Sequence, residues 1–323
     1  MKPTSTLLSI VTPAYKEADN LPVLYKRLCQ ALDAMRQDWE WIVVDDHSPD
    51  GTFGVIQQLA RQDSRVRGIR LSRNFGSHIA ITCGLRNASG DCVTIMAADM
   101  QDPPEVLPEL LASWQKGTQV VWAVRGQREG EKASTRGFAR LYYFIMRNLV
   151  GIREMPATGA DFFLLDRQVV DAFCQFNESN VSIFALITWM GFRQATITYD
   201  KQPRLHGRSG WNLGKKFKLV IDSVTSFSFF PIRLMSYLGF FVSLFGFLYA
   251  AFIVIHALTG HPPQGWSSMI VVILVVGGIQ MLMMGVLGEY LWRTLDEARR
   301  RPRYIIEDSI NPSAKQKQEK HEI

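Results

Sequence analysis

The sequence predicts an α/β protein with a mainly parallel sheet, followed by two helices that cross a membrane. Three observations carry this prediction. Short apolar runs alternate with segments whose apolar residues recur three and four positions apart, the pattern of alternating strands and helices. Strands joined through helices imply right-handed βαβ units and hence parallel pairing. Near the C-terminus, the segments 234–258 and 262–288 contain no Asp, Glu, Lys or Arg.

Each strand of the first half is an apolar run that ends in polar residues or proline. The predicted strands are 7–13, 39–44, 66–71 and 93–98. The first helix is marked by Asn20 as N-cap and by Pro22 in its first turn. Two more helices follow the second and third strands. Beyond them we expect a helix at 136–149 and further strands at 119–124 and 193–199.

The two uncharged segments predict a membrane hairpin. At a rise of about 1.5 Å per residue, each forms a helix of roughly 35–40 Å, which spans a hydrocarbon core of about 30 Å. Lysines and arginines flank the pair on both sides, while the loop between the segments has none. The positive-inside rule therefore places both termini in the cytoplasm, in a multi-pass protein of the inner (plasma) membrane. The N-terminus has no long apolar stretch, so no signal peptide is expected.

A third feature of the C-terminal half is the segment 211–230, whose apolar residues form one stripe at helical spacing with lysines opposite. This pattern predicts a helix lying in the membrane surface, although packing against the sheet is the alternative. We therefore expect a sheet domain at 1–210, an interfacial region at 211–231, two spans within 232–292 (about 234–258 and 266–290) and a basic cytoplasmic tail at 293–323. Glycines in both spans offer close-packing faces, so we also expect a homo-oligomer.

Composition excludes several classes of protein. The net charge of +6 is modest, and much of the basic excess flanks the spans, which favours anionic lipid over nucleic acid as its partner. The four cysteines show no C-x-x-C spacing and indicate reduced core residues. No G-x-G-x-x-G follows the first strand and no P-loop occurs. The sequence thus argues against dinucleotide, P-loop NTPase, redox and nucleic-acid functions.

A cluster of oxygen ligands follows the predicted strand 93–98. Asp99, Gln101 and Asp102 come directly after it. In open α/β sheets, ligands bind outside the carboxyl ends of the strands. Hard oxygen ligands suit Mg²⁺ or Mn²⁺, and these ions suit diphosphates. The alternative is a polar turn in which an aspartate caps the next helix.

Three motifs in order resemble the family 2 glycosyltransferases of GT-A fold. They are Thr-Pro-Ala-Tyr-Lys-Glu at 12–17, Val-Val-Asp-Asp-His-Ser-Pro-Asp-Gly-Thr at 43–52 and Asp-Met-Gln-Asp-Pro-Pro-Glu at 99–105. With the two spans and the Arg-Pro-Arg-Tyr ending at 301–304, the chain resembles the polyprenyl-phosphate glycosyltransferases, a group that includes the dolichol-phosphate mannose synthases. The resemblance extends over residues 6–305.

The resemblance implies a nucleotide-sugar donor, which we expect to be UDP-linked and to carry a glucose-like hexose. Uracil offers an N–H donor, so a carboxylate at a strand end is a suitable acceptor. Asp45 fits this role and Asp46 is the alternative, while Glu17 fits the ribose hydroxyls. The expected donor-binding residues are Pro13, Tyr15, Glu17, Asp45, Asp46, Asp99 and Gln101.

The same resemblance implies a divalent ion, Mg²⁺ or Mn²⁺, held by Asp99 and Gln101. Family members usually carry Asp-x-Asp-x-Gln here, but this chain has Ala97 in place of the first aspartate. Asp99 is expected to be catalytic through the ion. Asp161 matches the carboxylate usually assigned as the base, although it can instead position the acceptor or the sugar.

A phosphate acceptor requires cations, preferably guanidinium groups. The segment Arg-Leu-His-Gly-Arg-Ser at 204–209 resembles the family's Arg-x-x-Gly-x-Ser motif and supplies Arg204, Arg208 and Ser209. Arg125 and Arg136 flank a charged loop and are further candidates.

Together these features predict inverting transfer of one sugar to polyprenyl (undecaprenyl) phosphate, in modification of lipopolysaccharide or another cell-envelope glycan. Two alternatives are a processive polysaccharide synthase and a membrane scaffold with a decayed catalytic domain. The first lacks its expected Gln-x-x-Arg-Trp motif here, and the only hint of the second is Ala97.

Overall fold

Eight strands form one sheet in the part of the chain that the computed structural model describes, which comprises residues 6–126, 162–176, 178, 182–200, 202, 225, 228, 230–259 and 265–312. The strands are β1 Leu7–Ala14, β2 Asp38–Asp45, β3 Val66–Leu71, β4 Cys92–Ile95, β5 Val120–Arg125, β6 Phe162–Asp166, β7 Gln194–Tyr199 and β8 Ile306–Ile310. Their order across the sheet is β7-β5-β6-β4-β1-β2-β3-β8.

The centre of the sheet is parallel. Strands β4, β1, β2 and β3 pair in parallel, as does β7 with β5. Strand β6 runs antiparallel to β4 and β5, and β8 runs antiparallel to β3. The predicted fold class, a mainly parallel α/β sheet, is therefore confirmed.

Helices cover both faces of the sheet. These helices are α1 Leu21–Asp33, α2 Thr52–Gln62, α3 Ser77–Asn87, α4 Leu107–Gln115, α5 Arg167–Gln175 and α6 Ile183–Trp189. Two long helices, α7 Phe230–Leu258 and α8 Trp266–Ala298, follow them in the chain. One apolar core lies under α1, α2 and α4, and a second lies under α3, α5 and α6. Since the inner strands are buried on both sides, they consist of almost continuous apolar residues.

Strand β4 is shorter than predicted. The sequence predicts a strand over 93–98, but pairing stops at Ile95. The Met96 amide still donates to the carbonyl of Val11 at 3.0 Å. The chain then turns, and Met100 adopts a positive φ of 64°. An apolar run marks burial, and here three of its residues belong to a buried loop instead of the ladder.

Strand β8 lies within the stretch 293–323, for which the sequence predicts only a basic tail. It follows both long apolar helices and pairs with β3, with Gly68 opposite Ile310. A Cβ atom on Gly68 would lie 2.6 Å from Cγ2 of Ile56 and 3.1 Å from Cδ1 of Ile310. Glycine at this position therefore allows α2 and β8 to approach β3 closely. The predicted bounds of the sheet domain (1–210), the interfacial region (211–231) and the region of the two spans (232–292) stay predictions.

Helices α7 and α8 are the candidate membrane spans. The most apolar 18-residue windows of the segments Phe230–His256 and Val271–Ala298 have mean hydropathies of 2.4 and 2.3, and neither window is buried. The predicted spans match these helices, although α8 continues past residue 290 to Ala298. The predicted helix at 136–149 and most of the interfacial segment 211–231 fall outside the described residues.

Candidate active site

The residues predicted to bind the nucleotide sugar lie near the point where successive strands switch from one side of β1 to the other. Strand β1 has β2 on one side and β4 on the other. Ala14 is paired with Asp45, and Val11 with Ile95, so the three carboxyl ends are adjacent. Such a switch point forms the crevice where α/β sheets bind ligands. The site therefore comprises the loops after β1, β2 and β4.

The loop after β1 is fixed to the loop after β2. The amide of Lys16, which has a φ of 60°, donates to Oγ of Ser48 at 3.0 Å. The amide of Glu17 donates to Oγ1 of Thr52, also at 3.0 Å. These bonds hold the loop after β1 against the start of α2, and Tyr15 in this loop is 43% exposed.

Glu17 is held by its own loop as well. Its Oε2 accepts a hydrogen bond of 2.6 Å from Nδ2 of Asn20, the residue before α1. Asn20 is therefore a support for Glu17, and its side chain makes no capping hydrogen bond to the helix. The carboxylate stays half-buried beside the crevice, where it is placed to accept from a hydroxyl.

Asp45 is the most informative residue of the site. It is fully buried, and its Oδ1 accepts the amide of Ser48 at 3.0 Å. Its Oδ2 has no hydrogen-bond partner among the described residues, and Nη1 of Arg70 lies 3.7 Å away. Burial raises the pKa of this carboxyl, although the Ser48 hydrogen bonds and Arg70 oppose the shift. Burying a carboxylate oxygen without a hydrogen-bond partner destabilises the fold. The unpaired oxygen therefore indicates that a bound ligand donates a hydrogen bond to it.

Asp46 has a different set of contacts. Its Oδ1 accepts the amide of Phe75 at 2.7 Å, and its Oδ2 accepts that of Gly76 at 2.8 Å. Gly76 has a positive φ of 95° and directly precedes α3. Burial raises the pKa of Asp46 too. Because both of its oxygens fasten the loop before α3, the geometry favours Asp45 over Asp46 as the nucleobase acceptor.

The turn after β2 does not need either aspartate as a cap. Oδ1 of Asp50 accepts the amide of Thr52, the first residue of α2, at 3.1 Å. It also accepts the Thr52 hydroxyl at 2.6 Å. Asp50 therefore binds the first residue of α2.

Arg70 is a site residue that the sequence analysis misses. It lies on β3 directly opposite Asp45 in the ladder. Its Cζ lies 5.3 Å from the centre of the Phe53 ring, and its Nε donates to Oε2 of Glu307 at 3.0 Å. The available signal was an arginine at the carboxyl end of a predicted strand, next to a strand that ends in aspartate.

In the acidic loop after β4, Asp99 and Asp102 make different contacts. Asp99 is 7% exposed, and its Oδ1 accepts the amide of Gln101 at 3.1 Å across the turn at Met100. Asp102 is buried and accepts the hydroxyl of Tyr199 on β7. Asp99 and Gln101 thus lie in the loop at the carboxyl end of β4, and Asp102 links this loop to β7.

The donor set fits a divalent ion that takes most of its ligands from substrate and water. In the described part of the chain, no group of three or more His, Cys, Asp or Glu side chains is gathered for a metal. Mg²⁺ is commonly bound by one or two carboxylates together with substrate phosphates. Asp99 with the amide oxygen of Gln101 is compatible with this mode, and Ala97 contributes no ligand.

Several predicted residues cannot be placed. Asp161, Arg136, Arg204, Arg208 and Ser209 lie outside the described residues, as does the side chain of Arg125. The backbone of Arg125 ends β5. Phe162 begins β6, and Phe163 pairs with Ile95, so this strand starts at the edge where β4 ends.

Comparisons with known proteins identify relatives over nearly the whole chain. The model described as Glycosyl transferase family 2 matches residues 9–173. A glycosyltransferase of Synechocystis sp., described as uncharacterised, is 37% identical over 302 residues, covering 93% of this chain and 95% of its own. The bactoprenol glucosyl transferase of Shigella phage SfV is 35% identical over 302 residues, covering 93% and 98%.

A solved structure shares the fold. Glucosyl-3-phosphoglycerate synthase from Mycobacterium tuberculosis matches with a TM-score of 0.51 at 16% identity. The match covers 69% of this chain and 80% of that one. At this identity the likeness concerns the fold alone.

Proposed function

Because this chain belongs to glycosyl transferase family 2, we propose that it transfers one sugar from a nucleotide sugar to polyprenyl phosphate at a membrane surface. The chain is a glycosyltransferase, and the resemblance indicated by its ordered motifs is confirmed. Three finer assignments follow, for the donor, the metal and the acceptor.

The donor is proposed to be UDP-linked, and the observation that carries this is the open Oδ2 of Asp45 beside Arg70. Uracil presents one N–H between two carbonyls, so it needs one acceptor flanked by donors. Guanine presents two adjacent N–H groups and is best met by both oxygens of a carboxylate. The amide of Ser48 already donates to Oδ1 of Asp45, so only Oδ2 can accept a hydrogen bond from the base. One acceptor oxygen matches the single N–H of uracil better than the two N–H groups of guanine. A glucose-like hexose accords with the named activity of the phage relative.

Asp99 and Gln101 are proposed to hold Mg²⁺ or Mn²⁺ against the diphosphate. When bound, such an ion offsets the negative charge that develops on the departing nucleoside diphosphate. Tyr15 and Glu17 would contact the nucleoside, and the buried turn at Met100 keeps Asp99 rigid. This division of roles explains why Asp102, bonded to Tyr199, is not required as a ligand.

The acceptor is proposed to be undecaprenyl phosphate, in line with the name of the phage relative. A phosphate monoester is largely ionised near neutral pH, because its second pKa is about 6. Its oxygen would attack the anomeric carbon in line, forming one C–O bond while the bond to the diphosphate breaks, with inversion. Asp161 then acts as base or positions the acceptor, and Arg125, Arg136, Arg204, Arg208 and Ser209 bind the phosphate.

The two candidate spans support a membrane location for this reaction. We propose a multi-pass protein of the inner membrane in which α7 and α8 form a hairpin and the sheet domain lies in the cytoplasm. A homo-oligomer built through the glycine-containing helix faces is part of the same proposal.

The test is a transfer assay. Membranes containing the protein are incubated with radiolabelled UDP-glucose, Mg²⁺ or Mn²⁺ and undecaprenyl phosphate, and the lipids are then extracted. We expect a labelled lipid that carries a single sugar, and none from membranes with the Asp99→Ala variant. A product that grows with time would indicate a polysaccharide synthase, and no labelled lipid with any UDP-sugar in a broad panel would contradict the proposal.

A further inference from the structure

The C-terminal strand brings a carboxylate to the nucleotide crevice from beyond both apolar helices. Strand β8 follows α8 and pairs with β3, with Ile306 opposite Leu71. The amide of Ser72 donates to the carbonyl of Ile305 at 2.9 Å, which continues the pairing at the carboxyl end of β3. Glu307 therefore lies beside the edge of the sheet where Asp45 ends β2.

Glu307 binds two residues of that edge through one oxygen. Its Oε2 accepts Nε of Arg70 at 3.0 Å and lies 3.1 Å from Nδ1 of His47. His47 has a positive φ of 56°, and its Nδ1 is also 3.1 Å from the carbonyl of Leu71. The carboxylate thus joins the loop after β2 to the end of β3.

Two carboxylates share the Arg70 guanidinium unequally. Glu307 holds Nε at hydrogen-bond distance, whereas Nη1 stays 3.7 Å from Oδ2 of Asp45, beyond a good hydrogen bond. Asp45 is fully buried, so an ion pair there would act in a low dielectric and be strong. Without Glu307, Asp45 would be the one carboxylate left within 4.0 Å of this guanidinium among the described residues.

We propose that Glu307 is a positioning residue of the nucleotide site, which holds Arg70 by Nε and keeps Oδ2 of Asp45 open to a nucleobase N–H. This inference rests on the proposed function, because it concerns the same donor site. When Glu307 is absent, Arg70 closes on Asp45 and occupies the oxygen that the nucleobase requires.

By this proposal, the segment after the two apolar helices contributes to donor binding indirectly, through Arg70. Its effect should fall on the affinity for UDP and on the KM for the nucleotide sugar. The kcat and the KM for the lipid acceptor should change little, since among the described residues Glu307 binds Arg70 and His47, away from the proposed metal ligands Asp99 and Gln101. If Glu307 were merely structural, its loss would instead lower the melting temperature and the apparent kcat, because less enzyme is folded, and would leave the KM for the nucleotide sugar unchanged.

The test measures UDP binding to the full-length protein in detergent with Mn²⁺, by titration calorimetry. Glu307→Ala should weaken UDP binding by roughly fivefold to tenfold, the usual size of coupling between neighbouring groups. Asp308→Ala is the matched control, because it removes the same charge one residue further along β8. The Asp308 carboxylate accepts the amide of Ser309 at 2.7 Å, so we expect it to leave UDP affinity unchanged.

A double variant separates a positioning role from direct contact. If Glu307 acts through Arg70, then Glu307→Ala should have no further effect on UDP affinity in an Arg70→Ala background. Additive losses would overturn the proposal, as would unchanged UDP affinity in Glu307→Ala. Melting temperatures are recorded for every variant, and if Glu307→Ala is unfolded, Glu307→Gln provides the comparison, with weaker UDP binding again expected.

The outcomes also distinguish this inference from the proposed function. If the wild-type protein binds no UDP, or if Asp45→Asn leaves UDP affinity unchanged, the donor assignment itself is wrong. If Asp45→Asn weakens binding but Glu307→Ala does not, the donor assignment stands and only the role of Glu307 is wrong.

Discussion

The hydroxyl of Tyr199 donates a hydrogen bond to the buried carboxylate of Asp102, which links the outermost strand β7 to the acidic loop after β4. The two residues are 97 positions apart in sequence. Through this bond the fold fixes the loop that carries Asp99 and Gln101. Asp102 therefore supports the proposed metal site from behind.

The Tyr199→Phe variant should lose stability because Asp102 then loses this bond inside the protein. We expect a cost of about 1–3 kcal/mol, the usual range for removing one partner of a buried polar group. The measurement is the melting temperature of the purified protein. An unchanged melting temperature would show that the bond contributes nothing to the loop.

Asp99→Ala should nearly abolish sugar transfer. Loss of one group that stabilises charge in a transition state costs roughly 10²–10³-fold in kcat. Initial rates with saturating UDP-sugar and metal provide the measurement. Asp102→Asn is the control: it should lower the melting temperature while measurable transfer remains, and equal loss of activity in both variants would contradict the separate roles.

Asp45→Asn should stabilise the fold and weaken donor binding at neutral pH. Burial raises the pKa of Asp45 above its unfolded value, so ionisation disfavours the folded state as pH rises through that range. In the wild type, this loss of folding free energy is complete above the pKa of Asp45 in the folded state. It disappears below the unfolded pKa of about 3.9.

The matching measurement is the difference in melting temperature between Asp45→Asn and wild type as a function of pH. The increase in melting temperature caused by Asp45→Asn should be largest at pH 7 and should become smaller as the pH falls. UDP affinity should fall about tenfold or more at pH 7, as expected for a lost hydrogen bond to a charged group. A variant less stable than wild type at pH 7 would be inconsistent with the raised pKa.

Arg204→Ala tests the acceptor assignment, which stays a prediction from the sequence. If this arginine binds the lipid phosphate, the variant should raise the KM for undecaprenyl phosphate more than the KM for the UDP-sugar. Loss of one charge-assisted hydrogen bond corresponds to about 1.5–3 kcal/mol. The reverse pattern in steady-state kinetics would move Arg204 to the donor side.

Local patterns predicted most of the central sheet. Strand β3 matches its predicted bounds, β1 is one residue longer at its carboxyl end, and β2 is one residue longer at each end, because continuous apolar runs mark buried parallel strands. Strand β8 was missed because Ile306–Ile310 is a polar edge strand. Its partner β3 lies far away in sequence, and apolar periodicity gives no information about such pairing.

In the candidate site, too, local motifs identified candidate residues but not the contacts between residues distant in sequence. The motifs indicated that Asp45 or Asp46 meets the nucleobase, but adjacent carboxylates cannot be distinguished by type or spacing. The distinction comes from Phe75 and Gly76, whose amides occupy both oxygens of Asp46. The proposed roles of Arg70 and Glu307 were likewise not predicted, because they depend on distances to Asp45 across strands.

The position of β8 has a consequence for how the protein is made. Synthesis proceeds from the N-terminus, so the ribosome completes α7 and α8 before Ile306–Ile310 emerges. Until then β3 is an open sheet edge, with unpaired amides and carbonyls that favour aggregation. The sheet domain is therefore finished only after both apolar helices have been synthesised. A version ending at residue 210 would keep that open edge permanently, and its poor solubility would be no evidence about the catalytic residues.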